Sequence, residues 1–271
     1  KALGEALNWL VEPTHWWEVG QNLERGARNQ PELAALGALI FLSLLYYRRS
    51  LIRRLSEDMD AIGDVRRDRF GLTGRTLVIT VLLAVPWPWL MVWMAGLLYF
   101  SGNAADFSRG LSVGLVTGAF LAVNITFLRQ LCRPRGLAMA HFGWSEAGCC
   151  LLRRHLSWFQ WIGPLGAIIV GLCETQPDTL YGSTLGRVMF CVSLLAVVIV
   201  LWRVFDPRRA LLVNLVTGRA GAAWRLHYLW YPLIMGICIL IILLALSGYY
   251  YTALQLRGRV VLTGWLLLGA V

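Results

Sequence analysis

Long uncharged apolar stretches alternate along this chain with connectors that are rich in arginine. The apolar stretches run for about 17–25 residues, the length that an α-helix needs to cross about 30 Å of hydrocarbon. We therefore predict an all-α integral membrane protein, a polytopic helical bundle with amphipathic helices at the membrane surface.

The apolar runs predict six complete membrane spans and the start of a seventh. They cover about residues 33–47, 77–100, 111–128, 156–172, 188–202 and 229–246, and the seventh begins at 260. Residues 248–259 are predicted to form the loop between the last two. The chain thus divides into lead-in helices, residues 1–30, and a membrane domain, residues 31–271. The first residue is a lysine and the last lies within an apolar run, as expected of a fragment.

An amphipathic segment follows the first span. Leu51, Leu55 and Met59 fall at helical spacing, with acidic residues between them. The segment either continues the first helix out of the membrane or lies along its surface, and the sequence leaves both arrangements open.

Composition supports the membrane class. The chain is 58% hydrophobic and only 15% charged, with a mean hydropathy of +0.60. Its net charge of +10 does not indicate a nucleic-acid partner, because the arginines lie beside apolar spans, where anionic headgroups would be. We expect membrane lipids as partners instead.

Most of the 25 basic residues fall in alternate connectors, which the positive-inside rule assigns to the cytoplasm, leaving the N-terminus outside. The predicted cytoplasmic anchors are Arg48, Arg49, Arg53, Arg54, Arg153, Arg154, Arg208 and Arg209. The predicted interfacial aromatic anchors are Trp16, Trp17 and Trp230.

The sequence offers no recognisable catalytic chemistry. It contains no phosphate loop and no pair of histidines at metal-ligand spacing, so we predict no enzyme, metal site or cofactor. No Asp, Glu, Lys or Arg falls inside a predicted span, which argues against a proton-coupled transporter.

Two backbone features interrupt the regularity of the spans. Gly110, Gly114 and Gly118 recur every four residues and form a smooth strip that another helix can approach, either as ordinary packing or as a sliding face. Pro86 and Pro88 leave backbone carbonyls without partners and predict a kink, either a fixed bend or a hinge.

Large aromatic and amide side chains also fall inside spans. Trp87, Trp89 and Trp93 either contact lipid tails or fill gaps between helices, and the sequence does not choose. Asn124 and Gln160 are each expected to hydrogen-bond a neighbouring helix.

Several short motifs, in order along most of the chain, resemble those of the long MscS-type mechanosensitive channels, the MscK/MscM group. The motifs are Val65–Phe70, Pro86–Pro88, Leu131–Ala138, Ala140–Trp144, Pro207–Leu212, Tyr228–Pro232 and Gly248–Ala253.

The resemblance implies the extra inner-membrane helices of a heptameric channel that opens under tension during hypo-osmotic shock and releases ions and osmolytes. The glycine- and alanine-rich pore helix of that family has no match here, which implies a peripheral, tension-sensing region attached to its own downstream pore domain. The alternative is the transmembrane module of a membrane receptor or of a transporter subunit.

Overall fold

The computed structural model describes residues 2–62, 70–102, 105–134, 136–140, 144–205 and 222–269, and the regular structure in these ranges is helical. The helices are α1 (Ala2–Val11), α2 (Pro13–Asn29), α3 (Pro31–Ile62), α4 (Phe70–Ala84), α5 (Pro86–Tyr99), α6 (Asp106–Leu131), α7 (Leu137–Ala140), α8 (Glu146–Glu174), α9 (Thr179–Tyr181), a π-helical turn (Gly182–Gly186), α10 (Arg187–Phe205), α11 (Ala222–Leu246) and α12 (Tyr250–Gly269).

The described long helices pack largely in chain order. The closest partners are α6 and α8; α4 and α5 lie against α6, and α10 lies against α8. Helix α3 contacts α4 and α5 at one edge, whereas α11 and then α12 follow α10 at the other. The arrangement is therefore a row with two edges rather than a closed ring around one axis.

The predicted all-α membrane class is confirmed. Among the residues that the structure describes, four helices are long and apolar enough to span a membrane, and a fifth span results if a bent helix pair is counted as one. The four are Pro31–Glu57, Asp106–Leu131, Glu146–Glu174 and Thr179–Val204, and the bent pair is Thr73–Ala84 with Pro86–Tyr99. Within the described residues, Tyr231–Leu246 is a shorter apolar helix, so the count of six complete spans and a seventh stays a prediction.

The amphipathic segment after the first span continues the helix. Helix α3 has 32 residues and a length of about 48 Å, well beyond the thickness of the hydrocarbon core. Leu55 is buried, and Leu51 and Ile52 pack against the same apolar core. That core joins α3 to α4, α6, α8 and α10 through buried side chains that include Leu83, Ile125, Leu156 and Val200.

The predicted loop at residues 248–259 is wrong. Only a tight turn is present, with Gly248 at φ +100°, and α12 begins at Tyr250. Arg257 and Arg259, within the predicted loop, lie on this helix. The Arg257 guanidinium lies over the Phe190 ring, 5.4 Å from its centroid, and Tyr250 meets the same ring edge-on at 5.7 Å. These contacts hold a charged helical turn against α10.

Candidate functional site

Helices α6 and α8 approach each other backbone to backbone along the glycine strip. A Cβ atom added at Gly114 would collide with the carbonyl oxygen of Ile168. On the opposite helix, a Cβ at Gly171 would lie 2.7 Å from the Gly114 Cα. Neither position has room for a side chain, so the contact depends on glycine in both helices.

The two outer glycines of the strip face the same helix. A Cβ at Gly110 would lie 2.9 Å from the Leu172 carbonyl oxygen, and one at Gly118 would lie 2.6 Å from Ile168 Cγ1. The three predicted glycines therefore all point at α8. The geometry describes close packing, and a sliding motion along this face stays a prediction.

The chain bends where α4 meets α5. Helix α4 ends at Ala84, α5 begins at Pro86, and the two axes differ by 54°. Pro88 has no N–H group to donate to the Ala84 carbonyl four residues earlier. The Thr126 hydroxyl of α6 lies 2.9 Å from that oxygen, and also 2.7 Å from the Ala122 carbonyl of its own helix. A neighbouring helix therefore partners the carbonyl that the proline frees, and hinge motion stays a prediction.

Two of the three tryptophans in α5, Trp89 and Trp93, form hydrogen bonds to the backbone of α3, and this contact is the tryptophan seam. The Trp89 indole N–H donates to the Gly37 carbonyl oxygen at 3.1 Å, and the Trp93 indole N–H donates to the Leu33 carbonyl oxygen at 3.2 Å. The Trp93 ring occupies the space that a Cβ at Gly37 would need. Trp87 is 60% exposed and faces outward. The sequence carried a signal for this seam that we missed, a glycine inside the first predicted span.

Although α3 contacts α4 and α5, little of its apolar span is buried by the described chain. Only 6% of its apolar membrane-spanning window is buried, against 44% for α6 and 50% for α8. Leu36, Leu39 and Leu42 are all exposed. A shallow apolar groove of about 350 Å³ runs between α3 and α5, lined by residues that include Ile40 and Val92. Helix α3 therefore presents a long apolar face outward from one edge of the row.

The lead-in helix α2 is attached to α5 and α6 by contacts that the sequence did not predict. The Asn22 side-chain N–H donates to the Ser108 hydroxyl at 2.9 Å, and both residues are buried. A Cβ at Gly26 would collide with the Leu97 carbonyl oxygen of α5, so the two backbones are in contact. The segment before the first span is thus part of the packed structure.

The predicted basic anchors occupy the polar ends of helices. Arg48, Arg49, Arg53 and Arg54 are exposed on the distal half of α3, and Arg53 Nε lies 3.8 Å from Glu57 Oε1. In the first turns of α8, Arg153 is half-buried and Arg154 is exposed. Arg208 and Arg209 lie outside the residues that the structure describes. All eight stay predictions as membrane anchors.

The structure describes the side chains of two of the three predicted aromatic anchors. Trp16 and Trp17 lie on α2 and are 47% and 72% exposed, respectively. The Trp16 indole N–H donates to the Leu10 carbonyl oxygen at 2.8 Å, which ties α2 to α1. The side chain of Trp230 lies outside the described part of the structure. An interfacial role for the three stays a prediction.

The two amide side chains within spans differ in their partners. Gln160 of α8 accepts a hydrogen bond from Arg129 Nη1 of α6, which confirms an interhelical bond there. For Asn124 the prediction is wrong, because its amide donates to the Phe120 carbonyl oxygen of its own helix at 2.6 Å. A short polar side chain on a helix can reach the carbonyl four residues earlier and bond its own backbone.

Among the described residues, no group of three or more His, Cys, Asp or Glu side chains is placed to hold a metal ion. Cys132, just beyond α6, is buried next to the Cys149 thiol. Burial, followed by the neighbouring Cys149, raises the pKa of the Cys132 thiol to about 12. Such a thiol is almost entirely protonated at neutral pH and is a poor nucleophile.

Comparison with known proteins identifies the family to which this chain is similar. The profile of the family described as mechanosensitive ion channel inner membrane domain 1 matches residues 31–271. The miniconductance mechanosensitive channel MscM of Escherichia coli (strain K12) is 30% identical over 239 residues, which cover 84% of this chain and 20% of that protein. The chain thus spans about a fifth of the length of this curated relative. No solved structure matches the chain.

The matched family region covers the whole row of helices from α3 onward, and the resemblance to the MscS-type channels is confirmed. The family consists of inner-membrane channels rather than enzymes. This chain belongs to the mechanosensitive ion channel inner membrane domain 1 family.

Proposed function

We propose that this chain is the peripheral, tension-sensing transmembrane region of a mechanosensitive channel that releases ions and osmolytes on hypo-osmotic shock. The observation that carries the proposal is the state of α3. It is a long apolar helix whose span is almost entirely unburied by the rest of the chain, yet two indole hydrogen bonds fix it to α5.

This arrangement suits a helix that receives force from lipid. Membrane tension favours whichever conformation occupies more area in the plane of the bilayer, because a state is favoured by its differential interaction with the surroundings. An edge helix surrounded by lipid changes that area when it tilts. The 54° bend between α4 and α5 offers a second change of area if it opens.

The row of helices supplies a path for that force. From α3 the contacts pass through α5 to α6, then across the glycine strip to α8, and on to α10, α11 and α12. The glycine contact leaves no space for α6 and α8 to approach further, so displacement of one helix moves the other. Passive anchoring is the competing role for these helices.

We propose the remaining organisation from the resemblance and from the charge pattern. The arginine-rich connectors face the cytoplasm, the N-terminus is periplasmic, and α11 and α12 are the sixth span and the start of the seventh. Further along the parent chain lies the pore domain, and seven copies assemble around it. The similarity to MscM supports a channel setting of this kind.

The test is patch-clamp recording of the full-length channel in giant spheroplasts that lack other channels of this class, with and without residues 1–271. Suction is raised in steps, and the tension threshold and the single-channel conductance are read separately. A shifted threshold at constant conductance supports a sensor attached to a separate pore.

Two other outcomes contradict the proposal. If the deletion changes neither quantity although the channel reaches the membrane, the region is a scaffold. If the intact protein never opens under tension, the alternative of a receptor or transporter module replaces it, and solute-dependent flux would identify the transporter.

A further inference from the structure

The π-helical turn between α9 and α10 is a place where polar groups from three helices meet. In this turn, Gly182–Gly186, the Arg187 amide donates to the Gly182 carbonyl oxygen five residues earlier. Turns of this kind are rare, and they occur frequently at functional sites. The turn lies against the last residue of α8, Glu174, and the first residue of α12, Tyr250.

Two glycines of the turn bring Glu174 and Tyr250 to one face. A Cβ atom added at Gly182 would lie 3.3 Å from Glu174 Oε1, and one at Gly186 would lie 3.1 Å from the Tyr250 hydroxyl oxygen. Positions four apart on a helix are neighbours on its surface, with Cβ atoms about 5–6 Å apart. The carboxylate of α8 and the hydroxyl of α12 therefore approach the same side of the same turn.

Two hydrogen-bond donors at this face are buried without an acceptor. Tyr250 is only 7% exposed, and its hydroxyl has no hydrogen-bond partner in the described part of the chain. The same holds for Nε of Arg187, the residue that follows Gly186. Arg187 Cζ lies 5.9 Å from the centroid of the Tyr250 ring, so the guanidinium and the phenol are neighbours. A buried donor without an acceptor costs free energy, which an acceptor reaching both groups would recover.

The Glu174 carboxylate is an acceptor close to both donors. Its side chain is exposed, and the ion pairs closer than 4 Å among the described residues do not include it. It interacts electrostatically with Tyr250 and with Arg257, but it does not form a hydrogen bond to the Tyr250 hydroxyl in this structure. A carboxylate has two acceptor oxygens, and its hydrogen bonds are stronger than those between neutral groups. Rotation of one exposed side chain would therefore satisfy both buried donors.

Such a contact would join two helices that are otherwise connected indirectly. In the row, packing passes from α8 to α10, then to α11, and only then to α12. Tyr250 is also held on its other side by Phe190 of α10, whose ring it meets edge-on at 5.7 Å. It belongs to the Gly248–Ala253 motif, for which the proposed function gives no role. A bond from Glu174 to Tyr250 would link the end of α8 directly to the start of α12.

We propose that Glu174, Arg187 and Tyr250 form a clasp between α8, α10 and α12. The clasp is open in this structure, and it closes when the Glu174 carboxylate accepts hydrogen bonds from the Tyr250 hydroxyl and from Arg187 Nε. The closed clasp passes force from α8 directly to α12, and this part of the inference rests on the proposed function. The formation of the clasp does not depend on that function.

The first experiment tests the clasp without reference to gating. The full-length channel, purified in neutral detergent, is held at one elevated temperature, and the half-life of the folded protein is compared among Tyr250→Phe, Glu174→Ala and the double variant. Tyr251→Phe and Glu18→Ala are the matched controls. Tyr251 is the neighbouring tyrosine and is 72% exposed, and Glu18 is an exposed carboxylate on α2.

We expect each single variant to shorten the half-life about fivefold and the double variant by about the same factor, because both changes remove the same bonds. The controls should stay within about twofold of the unmodified channel. A hydroxyl that never finds a partner predicts the opposite result for Tyr250→Phe, since removing it would lengthen the half-life. That result would overturn the clasp, and so would an unchanged half-life in Glu174→Ala, which is expected if water or a soluble anion is the acceptor.

Patch-clamp recording of the same full-length variants separates the clasp from the proposed function. We expect Tyr250→Phe and Glu174→Ala to raise the tension threshold at unchanged conductance, with both controls matching the unmodified channel. If the channel opens under tension and neither variant shifts the threshold, the role of the clasp in passing force is overturned while the proposed function stands. If the unmodified channel never opens under tension, the proposed function fails, and the half-lives alone decide whether the clasp forms.

Discussion

The Thr126 hydroxyl lies 2.9 Å from the carbonyl oxygen of Ala84, the acceptor that Pro88 leaves without an amide partner. The carbonyl oxygen left free at the bend between α4 and α5 therefore has a partner in a side chain of α6, the helix packed against them. A sharp change of direction inside an apolar layer requires such compensation, because no water is present to satisfy the backbone.

Thr126→Val should destabilise the protein, since it leaves the Ala84 carbonyl without its interhelical donor. We expect a loss of about 1 kcal/mol in the free energy of unfolding, measured by thermal unfolding in detergent. Thr117→Val is the matched control, because the Thr117 hydroxyl donates to the Val113 carbonyl of its own helix and is exposed. Equal losses in the two variants would mean that the contact with Ala84 contributes nothing.

Replacing Pro86 and Pro88 together by alanine should reduce the 54° bend. The change restores two backbone N–H donors and removes the steric clash of each ring, so α4 and α5 can merge. Electron-spin distance measurements between labels on the two helices would report a longer separation of their far ends. Pro164→Ala, inside α8, is the control, and an unchanged distance in the double variant would show that tertiary packing alone sets the bend.

Gly114→Ala should disrupt the contact between α6 and α8, because the added methyl group meets backbone atoms of Ile168 that cannot rotate away. We expect a loss of about 1–3 kcal/mol in the free energy of unfolding. Gly236→Ala is the control, since a Cβ at Gly236 has nothing within 4 Å. Alanine should be neutral or slightly stabilising there. A stability loss at Gly236 as large as at Gly114 would contradict the account of the strip.

Alkylation should distinguish Cys132 from Cys150. The thiol of Cys132 is buried with its pKa raised to about 12, whereas Cys150 is exposed. Because only the thiolate reacts, the rate at Cys132 should keep rising about tenfold per pH unit beyond the ordinary cysteine pKa of about 8.5. Mass spectrometry of iodoacetamide-treated protein across alkaline pH measures both sites. A rate at Cys132 that levels off near the ordinary value would show that the site is open to water.

Hydropathy predicted the membrane class because crossing a bilayer demands long apolar helices whatever their neighbours are. Spans over α3, α6, α8 and α10 were found for this reason, and the proline pair marked the position of the bend. Helix α8 begins just after Ser145, whose side chain accepts a hydrogen bond from the Gly148 amide as a helix cap does.

Contacts between helices were predicted less well, because they depend on which faces meet. Residues 248–259 were predicted to form a loop, yet Arg257 lies on a helix and packs over Phe190. Asn124 suggested an interhelical bond, yet its amide donates to the Phe120 carbonyl oxygen of its own helix. The attachment of α3 by Trp89 and Trp93 links residues more than 50 positions apart, and Gly37 in the first span does not by itself identify the helix that packs against it.

The central claim is that α3 receives tension and passes it on through its tryptophan seam. Full-length channel carrying Trp89→Phe and Trp93→Phe keeps both aromatic rings but loses the two hydrogen bonds to α3. Patch-clamp recording should give a higher tension threshold at unchanged conductance, with Trp87→Phe matching the unmodified channel because that side chain faces outward. An unchanged threshold in the double variant, or a change in conductance, would contradict the account.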